Sequence, residues 1–364
     1  MLSIFIPQET LEDIVIDNMA SDIEPEDQDV WYKIFTKQEY IYVSSLDGRD
    51  YITEDDPLFL LTKSYSVKIE DATDYINAIP DHPESVTRYW NGIFLLNITE
   101  EEAAAIQRDY GVICQSVGSL DASVLMDQGL RFSPKKDEKD YSWDFMLQNV
   151  NAKHIPSNHL ILLDRYLFAD SSEYDSALSN TYDIMNSMLP VHNLKCHYRV
   201  TLVIGEQENG KSVPLSQIAP DISEITKYLK RPYPIDVEVI YLTHLSGLYT
   251  STHNRCFLTN YTITQAEHKL NAFTEGEEHD GAHGKVSTCL QTIQPQGLFT
   301  NSGLNGYCDS PHKTHHDIMS ALYKNLIWWV KNYMTTKSFY AFNGKKLPVN
   351  MKYGLNKGIL SFLS

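Results

Sequence analysis

The first 120 residues alternate between short apolar runs and polar stretches. SIFIP, YIYVSS and GIFLLNI have the length and the β-branched or aromatic content of strands. The stretch TEEEAAAIQRDYG predicts a helix, because Thr99 can cap its start, acids fill its first turn and Gly111 follows its last turn. VICQSVG then predicts a further strand. We therefore expect residues 1–140 to form one α/β domain, whose role the sequence leaves open.

From about residue 155 the alternation is more regular. HLILLDRYLFA, YRVTLVI, VEVIYLT and NRCFLTNYTIT predict strands, while SEYDSALSNTYDIMNSML and ISEITKYLK predict helices between them. This order indicates a mixed or mainly parallel sheet with flanking helices. We expect a second α/β domain over residues 150–364, ending in a helical extension that includes the amphipathic HHDIMSALYKNLIWWVKNYM. The polar stretch RFSPKKDEKDYSWD, residues 131–144, marks the boundary between the domains.

Length, charge and cysteine content narrow the class of protein. The chain has 364 residues, which suits two domains, and its net charge of -18 argues against a wholly basic, nucleic-acid-binding surface. The start of the chain lacks the basic and apolar pattern of a signal peptide, and no apolar run approaches the length of a membrane span. Five scattered cysteines suit a reducing compartment. These features predict a cytoplasmic protein without a membrane span.

Residues 205–212, GEQENGKS, match the phosphate-loop pattern G-x-x-x-x-G-K-[ST]. In a working loop Gly205 ends a strand, Gly210 lets the backbone approach the phosphates, Lys211 reaches the phosphates and Ser212 touches the metal ion. A helix must then begin, but Pro220 is expected to end that helix after about two turns. No later strand ends in an acid that could hold the metal, and LILLD, which ends at Asp164, lies upstream. Nucleotide binding is therefore an alternative rather than the main interpretation.

A second pattern lies in THNRCFLTNYTITQAEHKLNAF, residues 252–273. His253 and Arg255 are two residues apart on a predicted strand, so their side chains share one face. With Asn260 and Asn271 they keep the spacing of H-x-K-x4-D-x6-G-S-x2-N, the motif of the phospholipase D superfamily, which this stretch resembles in a degenerate form. Asn260 replaces the motif's aspartate, and Glu267–His268 replaces its Gly-Ser pair.

The order of strands and helices over residues 155–275 also resembles the phospholipase D-like domain at the carboxyl end of some MIT-domain proteins. Those domains carry H-D-R at the corresponding place, in a non-enzymatic version of the fold. The resemblance implies a binding and assembly module that recognises a phosphate-bearing ligand or a protein partner through His253, Arg255, Asn260 and Asn271. It also implies a homodimer, because two copies of the motif normally face each other.

The sequence also leaves open two enzymatic alternatives to this module. A phosphodiesterase or nuclease would use His253 as the nucleophile across the homodimer, and an NTPase would use the phosphate loop. Histidines and cysteines are frequent between residues 279 and 316, but the closely spaced cysteine pairs of a zinc site are absent. We expect no bound metal and no cofactor.

Overall fold

The computed structural model describes two β-sheets and the helices that pack against them. The described residues are 3–18, 29–36, 38, 40–44, 56–89, 92–122, 131–132, 155–164, 166–205, 213–242, 255–266, 288–292 and 339–342. Their parallel strands and flanking helices have the mixed α/β character that the sequence predicts. Within these ranges, no helix is both long enough and apolar enough to cross a membrane.

The first sheet consists of parallel strands. They are β1 (Ser3–Pro7), β2 (Tyr40–Ser44), β3 (Lys68–Asp71), β4 (Gly92–Leu96) and β5 (Ile113–Ser116), and they lie side by side in the order β3-β2-β1-β4-β5. All four pairings between neighbours are parallel. The predicted strands SIFIP, YIYVSS, GIFLLNI and VICQSVG are confirmed as β1, β2, β4 and β5.

Helices cover both faces of this sheet. The described helices are α1 (Gln8–Asn18), α2 (Val30–Phe35), α3 (Leu58–Ser64), α4 (Thr73–Ala78) and α5 (Glu100–Tyr110). Because side chains alternate along a strand, Ile4 and Ile6 of β1 pack in the core under α1–α3, whereas Phe5 packs in the core under α4 and α5. The first sheet is therefore buried on both faces, as parallel sheets usually are.

The predicted helix at TEEEAAAIQRDYG is confirmed as α5, with the caps that the sequence indicates. The Thr99 side chain accepts a hydrogen bond from the Glu102 N–H, and the Glu102 carboxylate accepts one from the Thr99 N–H. Gly111 ends the helix in the left-handed region, at φ 64°. A Cβ at Gly111 would lie 2.3 Å from the Ser157 carbonyl oxygen, so only glycine fits this close approach.

The second sheet is mixed. Its strands are β6 (Arg131–Phe132), β7 (His159–Leu163), β8 (Tyr198–Gly205), β9 (Ile235–Leu242), β10 (Arg255–Thr259), β11 (Thr262–Ala266), β12 (Thr288–Thr292) and β13 (Phe339–Phe342). They lie in the order β13-β9-β8-β7-β10-β11-β12-β6. Strands β7, β8 and β9 are parallel, and the others pair antiparallel. Residues 131–132, which the sequence division places in the first domain, thus lie at the edge of the second sheet.

Two helices pack against the parallel part of the second sheet. They are α6 (Tyr174–Met188) and α7 (Leu215–Tyr228), and they bury a continuous apolar core with β7, β8 and β9. The expectation that Pro220 ends the helix after about two turns is wrong, because α7 continues to Tyr228. Pro220 is exposed on α7, while Ile218 and Ile222 on either side are fully buried, so packing outweighs the backbone hydrogen bond that proline cannot make.

The two sheets contact each other at the amino ends of their parallel strands. The Tyr261 hydroxyl, in the turn between β10 and β11, donates to the Gly92 carbonyl oxygen (2.5 Å) and accepts from the Ile113 N–H (2.9 Å). Gly92 and Ile113 are the first residues of β4 and β5. Immediately before β7, the Asn158 amide donates to the Tyr110 carbonyl oxygen (2.8 Å). The carboxyl ends of both parallel sets of strands therefore lie away from this junction.

An ionic contact accompanies this junction. Lys195 Nζ lies 2.8 Å from the Asp109 carboxylate, and the Lys195 N–H donates to the Asp109 carbonyl oxygen (2.7 Å). Burial alone would raise the pKa of Asp109, but hydrogen bonds from Lys195 and Arg108 outweigh burial and hold this pKa below its ordinary value. Asp109 is therefore a charged link between α5 and the segment that leads into β8.

Candidate functional site

The carboxyl ends of β7 and β8 bring two sequence patterns together. Leu163 pairs with Val203, and the Asp164 N–H donates to the Val203 carbonyl oxygen (3.0 Å). Asp164, the acid at the end of LILLD, is therefore level with the last residues of β8, where Gly205 begins the phosphate-loop pattern. We call this end of the second sheet, where Asp164, Gly205 and Arg255 lie, the carboxyl edge.

Arg255 reaches the carboxyl edge from an antiparallel strand. It is the first residue of β10, and its neighbour Cys256 pairs with Leu163 of β7. On the other side, Arg255 pairs with Ala266, the last residue of β11. The open end of the β10–β11 hairpin thus lies at the same edge as Asp164 and Gly205.

Asp164 is completely buried at this edge. Its Oδ1 atom accepts a hydrogen bond from the Tyr166 N–H (2.8 Å), and its carbonyl oxygen accepts one from the Leu167 N–H (3.2 Å). These contacts make a tight turn after β7 and hold the carboxylate at the strand end. Asp164 is thus an acidic side chain fixed beside the strand that leads into the phosphate-loop pattern.

The phosphate-loop residues themselves fall mostly outside the described ranges. Gly205 ends β8, as a phosphate loop requires, whereas Gly210, Lys211 and Ser212 lie outside the described residues. The chain is described again from Val213, and α7 begins at Leu215. A strand therefore precedes the pattern and a helix follows it, as phosphate binding needs.

The four residues of the degenerate motif are not gathered in one place by the described structure. Arg255 lies at the carboxyl edge, while His253 and Asn271 lie outside the described residues. Asn260 is in the turn at the other end of the hairpin, five residues along the chain, which is about 16 Å on an extended strand. The structure thus separates Asn260 from Arg255.

Asn260 takes part in a buried hydrogen-bond network at the junction of the sheets. Its Oδ1 atom accepts from the N–H groups of Asn158 (2.9 Å) and His159 (3.1 Å), and its Nδ2 atom donates to Asn158 Oδ1 (2.7 Å). Only 2% of Asn260 is exposed. An asparagine fits here because one end of its side chain accepts while the other donates. The spacing of the motif could not indicate this role; the turn-forming sequence TNY was the one relevant signal.

His159 lies beside this network and is also fully buried. Its Nε2 atom is 3.2 Å from the Thr201 hydroxyl oxygen. Burial, and to a smaller extent the positive charge of Arg199, lower the pKa of His159 to about 3. His159 is therefore neutral at physiological pH and serves the junction rather than the carboxyl edge.

Among the residues that the structure describes, no group of three or more His, Cys, Asp or Glu side chains could hold a metal ion. The histidine- and cysteine-rich span 279–316 lies outside the described residues, apart from strand β12.

The comparisons with known proteins indicate no function for this chain, so its functional interpretation rests on the arrangement of its own residues. No model of a protein family matches the chain, and no curated protein matches its sequence.

Proposed function

We propose that this protein is a non-catalytic binding module that recognises a phosphate-bearing ligand at the carboxyl edge of its second sheet. The ligand is a phosphate compound or a phosphate carried by a protein partner within a larger assembly. The observation that carries the proposal is the position of Arg255 beside Asp164 and Gly205, at the ends of three neighbouring strands. In α/β sheets, ligands bind outside the carboxyl ends of the parallel strands.

The chemistry of these residues suits a phosphate. An arginine offers several N–H donors in a fixed plane and forms strong, charge-assisted hydrogen bonds with phosphate oxygens. In the sequence, His253 precedes Arg255 by two residues and adds a second group that can bind an anion. The phospholipase D-like character of this sheet, and assembly as a homodimer, belong to the same proposal. The order β9-β8-β7-β10-β11, three parallel strands followed by a hairpin, supports that character.

Asn260 supports a binding role over catalysis. Asn260 occupies the motif's aspartate position, but its amide forms hydrogen bonds at the junction of the sheets and does not lie near Arg255. An amide also supplies no negative charge to orient a histidine nucleophile. The phosphodiesterase alternative would need His253 to act without that carboxylate.

Nucleotide binding is a second candidate, and two observations favour it. Helix α7 follows the loop pattern and continues through Pro220. Asp164, although it lies upstream in the sequence, is on the strand next to β8 and can serve as the acid that a phosphate loop needs. A nucleotide with bound magnesium is itself a phosphate-bearing ligand, so this candidate specifies the ligand of the proposed binding module.

The proposal is tested by calorimetric titration of the full chain with inorganic phosphate, with ATP and Mg²⁺, and with a short oligonucleotide. We expect Arg255→Gln to weaken binding about 10- to 100-fold, because it removes charge-assisted hydrogen bonds. The matched control is Arg199→Gln, since Arg199 lies at the amino end of β8, at the other end of the same sheet. The control variant should keep the wild-type affinity. Equal affinities for both variants and the wild type, or no binding of any of the three ligands, would sink the proposal.

Two further variants separate the alternatives. If the ligand is a nucleotide held by the loop pattern, Lys211→Ala should abolish ATP binding and His253→Ala should not. If the protein is a phosphodiesterase, the wild type should cleave a phosphodiester and His253→Ala should stop that cleavage. A binding module binds its ligand but neither hydrolyses ATP nor cleaves a phosphodiester.

A further inference from the structure

The first sheet has a topological switch point that is separate from the carboxyl edge of the second sheet. The order β3-β2-β1-β4-β5 means that the chain leaves β1 towards β2 on one side and later returns to β4 on the other side. Neighbouring connections therefore diverge at the carboxyl ends of β1 and β4. In open parallel sheets such a point forms a crevice, and small ligands bind there.

Gln8 places an unsatisfied acceptor at this switch point. It is the first residue of α1 and follows Pro7, the last residue of β1. Gln8 is 6% exposed, and its Nε2 atom donates to the Glu12 carboxylate (2.5 Å). Across the described part of the chain, the Gln8 Oε1 atom is buried and has no hydrogen-bond partner. A buried acceptor without a partner costs about 1–3 kcal/mol, so it calls for an explanation.

The direction of the Gln8 side chain follows from the helix. Gln8, Leu11, Val15 and Asn18 form the buried stripe of α1, which faces the sheet. Side chains on a helix tilt towards its amino terminus. The Gln8 amide therefore lies at the first turn of α1, over the carboxyl end of β1.

Two more polar side chains border the same point. Ser44, the last residue of β2, pairs with Pro7, and Asn97 directly follows Leu96 at the end of β4. Ser44 is 5% exposed, whereas the Asn97 side chain is exposed to solvent. Since β2 and β4 flank β1, these side chains begin about 10 Å apart, which is the width of a small molecule.

We propose that this crevice binds a hydroxyl-bearing small molecule, such as the ribose of a nucleoside, with one hydroxyl donating to Gln8 Oε1. An orphan acceptor needs a donor, and a hydroxyl supplies one while its oxygen accepts from the free N–H groups of the first turn of α1. Gln8, Ser44 and Asn97 carry no positive charge, and Glu9 and Glu12 lie in or next to that turn. The ligand group at this site is therefore neutral and not a phosphate.

The test is a titration of the full chain with adenosine, D-ribose and AMP, followed by calorimetry or ligand-observed NMR. We expect adenosine to bind the wild type, and Gln8→Met, which keeps the length of the side chain, to weaken that binding about 3- to 10-fold. The matched control is Gln38→Met, because Gln38 is a buried glutamine whose Nε2 atom donates to the Ile34 carbonyl oxygen (2.9 Å). The control should keep the wild-type affinity for adenosine.

The ligands and variants in this experiment show which part of adenosine is recognised and whether Gln8 binds it. Binding of D-ribose as well as adenosine assigns recognition to the sugar, whereas adenosine alone assigns part of it to the base. Adenosine carries no phosphate, so this inference can fail while the proposed function stands. Absence of adenosine and ribose binding at millimolar concentration, or equal affinity of Gln8→Met and the wild type, overturns the inference. So does a larger loss of melting temperature in Gln8→Met than in Gln38→Met, which would assign Gln8 a structural role.

Discussion

Removal of the Tyr261 hydroxyl tests most directly how the two sheets are joined. Tyr261→Phe removes one oxygen atom and leaves the packing of the ring in the core of the first sheet unchanged. It also leaves the Gly92 carbonyl and the Ile113 N–H, both buried at the starts of β4 and β5, without the partner they have now. Each buried group that loses its partner costs about 1–3 kcal/mol, so we expect the free energy of unfolding to fall by about 2–5 kcal/mol.

Urea unfolding followed by circular dichroism measures this loss, with Tyr228→Phe as the control. Tyr228 is 69% exposed, and the same substitution there should change the free energy of unfolding by less than about 0.5 kcal/mol. Hydrogen exchange gives a local readout, because the Ile113 amide should exchange faster in Tyr261→Phe. If Tyr261→Phe is as stable as the control and the Ile113 amide stays protected, the described junction between the sheets is incorrect.

Three further substitutions test the same region of the molecule, each by urea unfolding. Gly111→Ala should destabilise the protein by about 2 kcal/mol or more, because Gly111 has φ 64° and a Cβ there would meet a carbonyl oxygen. The control is Gly118→Ala, which should be nearly neutral because the nearest atom to its Cβ would be 3.7 Å away. The lowered pKa of His159, about 3 in the folded state against an ordinary 6.5, means that the unfolded chain binds a proton more readily below pH 6.5. Stability should therefore fall by up to about 1.4 kcal/mol per pH unit as the pH drops from 6.5 towards 3, and His159→Gln should lose this part of the pH dependence. Asn260→Asp, which restores the aspartate of the phospholipase D motif, should cost about 1–3 kcal/mol at pH 7, because a carboxylate cannot donate to Asn158 Oδ1; equal stability would show that the Asn260 network is not formed.

The parts of the fold that the sequence predicts are those with a strong local signal. β1, β4 and β8 are runs of buried apolar residues, and the Thr99 and Gly111 caps bound α5. β3, with the sequence KIED, has three exposed residues out of four and lies at the edge of its sheet, so no apolar alternation marks it. The sequence predicts the second half of α7, ISEITKYLK, but not its continuation through Pro220, because there tertiary packing outweighs a local rule.

The arrangement of the candidate site depended on strand order, which a sequence does not display. Asp164 precedes Gly205 in the chain by a whole helix, yet β7 and β8 are neighbours, so the two residues end at the same edge. Motif spacing grouped Arg255 with Asn260, but a hairpin places them at its opposite ends. Spacing along the chain predicts proximity only when the residues between do not form an extended strand.

The location of a bound phosphate analogue tests the central claim most directly. Crystals of the full chain soaked with tungstate, whose anomalous scattering marks its position, would reveal the anion site. We predict tungstate within hydrogen-bond distance, about 3 Å, of the Arg255 guanidinium group at the carboxyl edge of the second sheet. Tungstate only at the amino ends of the strands, or at the first sheet and not beside Arg255, would contradict the account.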